Sequence, residues 1–184
     1  RTAASVTMTP EFRPIKPEEI PDNPFRLIGA DWMLLTAGTP GDCNPMTASW
    51  GGVGVLWNQP VAICFVRPVR HTFGFMERHP VYTLSFFEER YRPALELCGT
   101  RSGRDLDKPA AAGLTPVAGA GGGVAFAEAR LVIECRTLYS QDLDPVRFLD
   151  PGLAEHYPNR DYHRLYIGRI THVWIRAAGS PHHG

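Results

Sequence analysis

Three stretches of this chain bring hydroxyls, cations and small residues together in a pattern that can hold a planar, anionic ligand. The first is Asn44-Pro45-Met46-Thr47-Ala48-Ser49-Trp50-Gly51-Gly52. Small side chains at Ala48 and Ser49 let main-chain amides approach the edge of a ring, Thr47 can donate or accept through its hydroxyl, and Trp50 can stack on the ring or wall it. The same residues also read as a plain strand followed by a turn. The second is Val66-Arg67-Pro68-Val69-Arg70-His71-Thr72, where an apolar strand gives way to two arginines and a hydroxyl at an expected helix start. Helix N-terminal amides and an arginine fork both favour a phosphate dianion. A solvated turn is the alternative, and Arg70 and His71 can equally face water. The third runs from Cys98 through Gly99, Ser102 and Gly103 to Lys108. Here Ser102 and the Gly103 amide can reach phosphate or hydroxyl oxygens, and Lys108 adds a cation. Taken alone it is a charge run of the kind that covers a solvated surface.

The order of these three stretches resembles that of the flavin reductase-like and flavoredoxin proteins, over about Asn23 to Ile175. In that family the segment similar to Asn44–Gly52 wraps the isoalloxazine ring of FMN. The strand ending near Val66 gives backbone contacts and then hydroxyl or basic contacts to the phosphate, for which Arg67 and Thr72 match best. The run from Ser102 to Lys108 is similar to the family's Ser-Gly-Arg-Asp-x-Asp-Lys motif. Pro109 departs from the family, where an apolar helix former is common. The resemblance implies FMN contacts from Asn44, Met46, Thr47, Ala48, Ser49, Trp50, Val66, Arg67, Thr72, Cys98 (through its backbone), Gly99, Ser102, Gly103 and Lys108. It also marks His163, just before the last expected strand, as a candidate nicotinamide-site residue; a lone His there is equally a surface or structural residue. The implied activity is hydride transfer from NADH or NADPH to flavin, in a homodimer with FMN near the subunit interface. The alternative is a flavoredoxin-type carrier whose tightly bound FMN is reduced by a partner protein, which makes an electron-acceptor protein a further implied partner. The flavin itself carries the hydride chemistry, so no catalytic triad is required.

The elements that must position these residues are short. Glycine and proline are frequent, 18 and 17 residues, and spread along the chain, which favours many short elements over long helices. Strands are expected at 32–37, 53–57, 61–66, 81–87, 130–139 and 165–175, rich in β-branched and aromatic residues. In 130–139, Leu131, Ile133, Cys135, Thr137 and Tyr139 alternate with Arg130, Val132, Glu134, Arg136 and Leu138, so one face should look inward. Gly168 inside the last strand suggests a bulge or a close backbone approach. Short helices are expected at Phe73–Arg78 with Thr72 as cap, at Ala94–Cys98 with Pro93 in the first turn and Gly99 at the end, and from an Asp105 cap to Gly113. The Gly-rich run 118–124 reads as a mobile hairpin or loop and, with no helix following, not as a P-loop. Asp144-Pro145 and Asp150-Pro151 read as caps followed by proline at the first helical position. The expected fold is mainly β with short helices, and the resemblance makes it an FMN-binding split β-barrel, Greek-key-like, with an N-terminal arm at 1–22, the domain at 23–176 and a tail at 177–184.

Lys plus Arg and Asp plus Glu number 19 each, which gives no global reason to expect nucleic acid or an anionic membrane as partner. The apolar run 61–66 is far short of the roughly 20 residues of a membrane-spanning helix, and no signal-peptide pattern stands at the start, so the cytoplasm is the default compartment. Cys43, Cys64, Cys98 and Cys135 are spaced too widely for a CxxC pair, and the histidines, including His182 and His183 in the tail, show no chelating spacing. No metal site is expected.

Overall fold

The computed structural model describes Met8 and residues 11–177; the tail histidines lie outside the described residues. The elements are β1 (Phe12–Ile15), α1 (Pro24–Arg26), β2 (Met33–Thr39), β3 (Asp42–Ala48), β4 (Gly51–Leu56), β5 (Gln59–Val66), α2 (His71–Arg78), β6 (Val81–Phe86), α3 (Arg92–Thr100), α4 (Lys108–Ala111), β7 (Pro116–Ala118), β8 (Val124–Phe126), β9 (Leu131–Asp142) and β10 (Arg164–Arg176). One antiparallel sheet runs β3-β2-β6-β9-β10-β5-β4, with β1 added to β10, and β7-β8 form a separate hairpin. The two ends of this path, β3 and β4, are consecutive in the chain and joined only by Ser49 and Trp50. The sheet must therefore curl until its edges meet at that corner.

β10 makes the curl feasible. Its register against β9 shifts at Ile167/Gly168 and again at Ile170/His172, and such bulges bend a strand and raise its twist. At Gly168 the lack of a side chain is required: a Cβ there would sit 2.3 Å from the Tyr82 hydroxyl and 2.9 Å from Cys135 Cβ. Bulge and close approach both occur at the glycine the sequence marks. Arg164–Arg169 of β10 pairs with β5, and its C-terminal end takes up β1. Part of the expected N-terminal arm is thus a strand of the sheet.

The sheet is buried on two faces. Met33, Leu35, Tyr82, Leu84, Ile133 and Tyr166 fill the barrel, while Leu34, Phe87, Leu95, Phe126, Val132 and Trp174 form a second core outside it. The inward set expected in β9 holds for Leu131, Ile133 and Cys135, but Thr137 is half-buried and Tyr139 exposed where the strand runs out past the core; Val132 and Glu134 are buried too, because the second core covers their face. Other boundaries differ for local reasons. Trp57 leaves β4 and, with Asn58, takes positive φ (50° and 57°) in a two-residue hairpin turn of the type whose twist matches the strands it joins. Thr72 does not cap α2; its hydroxyl accepts from Asn44 instead, and the helix begins at His71. Gly99 lies within α3, which continues to Thr100, and its bare Cα packs on Thr47. Asp107, not Asp105, caps α4, with Pro109 in the first turn. Asp144 and Asp150 accept from Val146 N and Gly152 N, capping two short 3-10 turns as expected.

Candidate functional site

The corner between β3 and β4 builds the site. Ser49 and Trp50 leave the sheet, and Gly51 returns to it at φ 157°, where a Cβ would lie 2.7 Å from the Ile63 carbonyl oxygen. Trp50 is thrown outward and is 45 % exposed. Its ring meets His156 and His163, each at 5.3 Å between centroids. Together with the end of β5 and the loop after it, the corner encloses a cleft of about 220 Å³ lined by Met46, Thr47, Ala48, Ser49, Trp50, Phe65, Arg67, Arg70 and His163. Seven of those nine are residues that the sequence marks. Phe65 and Arg70 complete the set.

Cations dominate one end of the cleft. Arg67 is held by the segment between β9 and β10, residues 143–163: it pairs with Asp161 at 3.0 Å, donates to the His156 carbonyl at 2.7 Å, and lies over the Tyr157 ring. Arg70 donates to the Cys98 carbonyl at 3.4 Å. The same carbonyl accepts from Lys108 Nζ at 2.9 Å, and Pro45 O accepts from Nζ at 3.0 Å. Among the described residues neither Arg70 nor Lys108 has a carboxylate partner. Burial and then the Arg70 charge push Lys108 down to about 8. Arg70 is itself lowered by burial and then by Arg67. A dianion near this end would relieve that mutual repulsion.

The sequence-marked residues divide between two cavities, one at the start of β3 and one at its end. Asn44, Gly103 and Lys108 line a larger one, about 530 Å³, together with Cys43, His71 and Arg104. Asn44 Nδ2 donates to the buried Thr72 hydroxyl at 2.6 Å, and a Cβ on Gly103 would fall 1.8 Å from Asn44 Oδ1, so the Ser102–Gly103 loop lies directly on that pair. Ser102 Oγ accepts from the Arg104 amide. The Thr47 hydroxyl donates to the Leu95 carbonyl, which ties β3 to α3. Val66 faces the barrel interior, leaving only its main chain toward the site. Lys108 is buried with its ammonium directed to two carbonyls, so it acts on the cleft through Arg70 and not by lining it. The Cys98 carbonyl is taken by these two cations.

Tyr157 and Asp161 shape the cleft by holding its lining residues; Asp161 opens the stretch in which the resemblance marks His163, but no sequence signal assigned either residue a role. Phe65 was legible only as one more apolar position of a strand. Burial keeps the thiols protonated, Cys43 and Cys98 at about 11 and Cys64 at about 12. Among the described residues no three His, Cys, Asp or Glu converge on a metal position, and no helix is long and apolar enough to cross a membrane.

Fold and cleft together define a β-barrel protein with an aromatic-walled, cation-ended site at a strand corner. Residues 25–182 match the model of the flavin reductase like domain, and the chain belongs to that family. No curated protein matches the chain. Among solved structures, the FMN-binding domain of a flavin reductases-like enzyme from Shewanella baltica OS155 superposes with TM-score 0.65 at 17 % identity, over 90 % of this chain and 77 % of that one. Flavoredoxin of Desulfovibrio vulgaris (Miyazaki F) gives 0.63 at 21 %, over 83 % and 73 %. An FMN-binding protein from Thermus thermophilus with bound p-hydroxybenzaldehyde gives 0.63 at 20 %, over 78 % and 70 %. The fold is the split barrel of these proteins.

Proposed function

We propose that this protein binds FMN in the Trp50 cleft and passes hydride from NADH or NADPH to the flavin. The observation that carries this reading is the convergence in one cleft of an aromatic wall, small residues and two arginines, of which Arg67 is paired with Asp161 and Arg70 has no carboxylate partner among the described residues. These residues suit an aromatic anion: Trp50 and Phe65 for a ring, the Met46–Ser49 main chain for its polar edge, and Arg67 and Arg70 for a phosphate. Bound FMN supplies the two-electron chemistry. The chain's part is to orient the ring against Trp50, to neutralise phosphate at the arginines and to set the nicotinamide beside His163. Burial and then the Arg67 charge hold His163 down to about 4, so it works as a neutral hydrogen-bonding group at physiological pH. Reduced nicotinamide is a cytoplasmic currency, and the free thiols suit that reducing compartment.

The homodimer belongs to the same proposal. At about 220 Å³ the cleft is smaller than the roughly 300–1,000 Å³ of a typical ligand pocket, as expected of a site that a second surface completes. β4 supports it: this edge strand carries no charge, Val55 is 79 % exposed, and an apolar groove of about 270 Å³ lies beside it between Ile20, Leu27, Val53 and Ile170. Uncovered apolar edges of this kind invite pairing. A single species at monomer mass in sedimentation, with FMN bound, overturns the dimer.

The carrier reading is favoured by one finding, the likeness to flavoredoxins. An electron-acceptor protein then replaces free flavin as the outlet. Spectra of the purified protein with FMN, before and after NADH or NADPH, separate the two. Bleaching by nicotinamide and turnover of added flavin support the reductase, bleaching only by a reduced partner protein supports the carrier, and no change in the FMN spectrum on mixing sinks both.

A further inference from the structure

One side chain outside the cleft holds two that line it. Tyr157, only 7 % exposed, follows the 3-10 turn Pro151–His156; its hydroxyl oxygen lies 2.7 Å from His163 Nδ1, and its ring carries the Arg67 guanidinium 4.9 Å from the centroid. The direction of the hydrogen bond follows from what else is available. Among the described residues the Tyr157 hydroxyl has no acceptor but Nδ1, and a buried O–H left without one is destabilising. Burial also pushes the Tyr157 pKa up, so the proton stays on oxygen. His163 is neutral and carries a single N–H. With Nδ1 accepting, that hydrogen is on Nε2. Nε2 makes no hydrogen bond to any described residue, while the ring lines the cleft beside Trp50.

We infer that Tyr157 is a positioning residue that locks His163 in the Nε2–H tautomer, so the cleft presents a neutral N–H donor to a carbonyl oxygen of its ligand. The identity of that oxygen, the carboxamide of a nicotinamide, rests on the proposed reductase reading; the tautomer does not. The cleft is thereby divided into a cationic end at Arg67 and Arg70, suited to phosphate, and a neutral end suited to an amide. The groups facing His163 are Trp50 from the corner, Phe65 and Arg67 from the β5 end, Arg70 from the loop beyond, and His156, Tyr157 and Asp161 from the 143–163 segment. Asp161 is the one acid among them, and it is engaged by Arg67. Protonating His163 would add a third cation beside two others, which is why the lock has to work on a neutral ring.

Nitrogen-resolved NMR of the histidine side chains in cofactor-free protein tests this directly. In the wild type, near pH ~7, His163 should show an unprotonated Nδ1 and a protonated Nε2. Tyr157→Phe keeps the ring under Arg67 and removes only the O–H. The two nitrogens should then shift toward a tautomer mixture, the His163 pKa should rise, and KM for NAD(P)H should rise about three- to tenfold, as expected for one net hydrogen bond, with kcat and FMN affinity within about twofold. A wild-type His163 protonated at Nδ1 overturns the inference even if the variant does not fold. So does a folded variant with unchanged nitrogen shifts, pKa and KM. If the tautomer is found and NAD(P)H is not oxidised at all, the reductase reading falls and the positioning role stands.

Discussion

Lys108 and Glu134 are both ionisable side chains removed from water, at 2 % and 0 % exposure, and both are held by main chain. Carbonyls of Pro45 and Cys98 accept from the Lys108 ammonium, whereas amides of Gly121 and Gly123 donate to the Glu134 carboxylate. Their side-chain neighbours suit them differently. Glu134 faces His172 Nδ1 at 3.0 Å, while Lys108 shares its carbonyl with Arg70, a second cation. Compensation marks Glu134 as structural: it closes the β7–β8 hairpin onto β9, and a Cβ at Gly119 or Gly121 would fall 1.9 or 2.4 Å from its oxygens, so glycine is needed at both. Lys108 has no carboxylate partner among the described residues, and with Arg70 it makes up the charge excess on which the FMN proposal draws. An anion nest does exist in the Gly-rich loop, but the protein's own carboxylate fills it.

The largest effect should come from Glu134→Gln. Its amide group must point an NH₂ at one of the two main-chain donors, leaving both unsatisfied in the interior, for a loss of about 2–3 kcal/mol. That corresponds to a fall in Tm of roughly 5–10 °C for a chain of this size. Flavin affinity should stay within about twofold. A variant that keeps its thermal unfolding curve but loses FMN would break the contrast between the two sites.

Next comes Arg70→Gln, which removes a cation from the cleft without touching a carboxylate. FMN affinity should drop about tenfold to thirtyfold, or about 1.4–2 kcal/mol, with a smaller change for riboflavin, which has no phosphate. Equal losses for the two flavins in fluorescence titration would assign Arg70 to the ring and leave the phosphate unplaced.

The barrel and its cleft were legible to different degrees. Apolar strands at 61–66 and 81–87 announced themselves by β-branched and aromatic residues, and Gly168 marked its bulge, because a missing side chain in a strand is itself a signal. β3 was harder: its Asn, Pro and Thr stood out as ligand-lining residues, a plain strand with a turn being the alternative, and its strand character comes from pairing with β2 along seven residues. The second core was invisible in β9, since polar-looking Glu134 is buried by a hairpin far along no periodic pattern. Motif order located the corner residues, but it could not say that Asn44, Gly103 and Lys108 face a different cavity from Thr47 and Trp50. Which cavity a residue of β3 reaches depends on which loops and helices pack beside each stretch of the strand, and that is set by the tertiary fold.

The smallest effect, and the one that most sharpens the contrast, is the pH dependence Lys108 confers. Its pKa falls from 10.5 to about 8 on folding, so between those values the unfolded chain holds the proton that the folded chain has released. Stability from this group therefore rises with pH across that window and is flat below it, where both states are protonated. A dianion held by Arg70 raises the folded pKa again. Binding above pH ~8 must then take up a proton, and FMN affinity should weaken about three- to sixfold between pH ~7 and ~9 if the bound pKa is restored by about one unit. Lys108→Met abolishes the slope. It should also lower affinity near neutral pH by about fivefold, or about 1 kcal/mol, and leave riboflavin unaffected. Its stability should change by less than about 1 kcal/mol, because two carbonyls lose a donor while an unpaired buried cation is removed, and the two terms oppose each other. A wild-type affinity that is level across this range, or a slope that survives in Lys108→Met, would show that the charge excess at the cleft does not include Lys108.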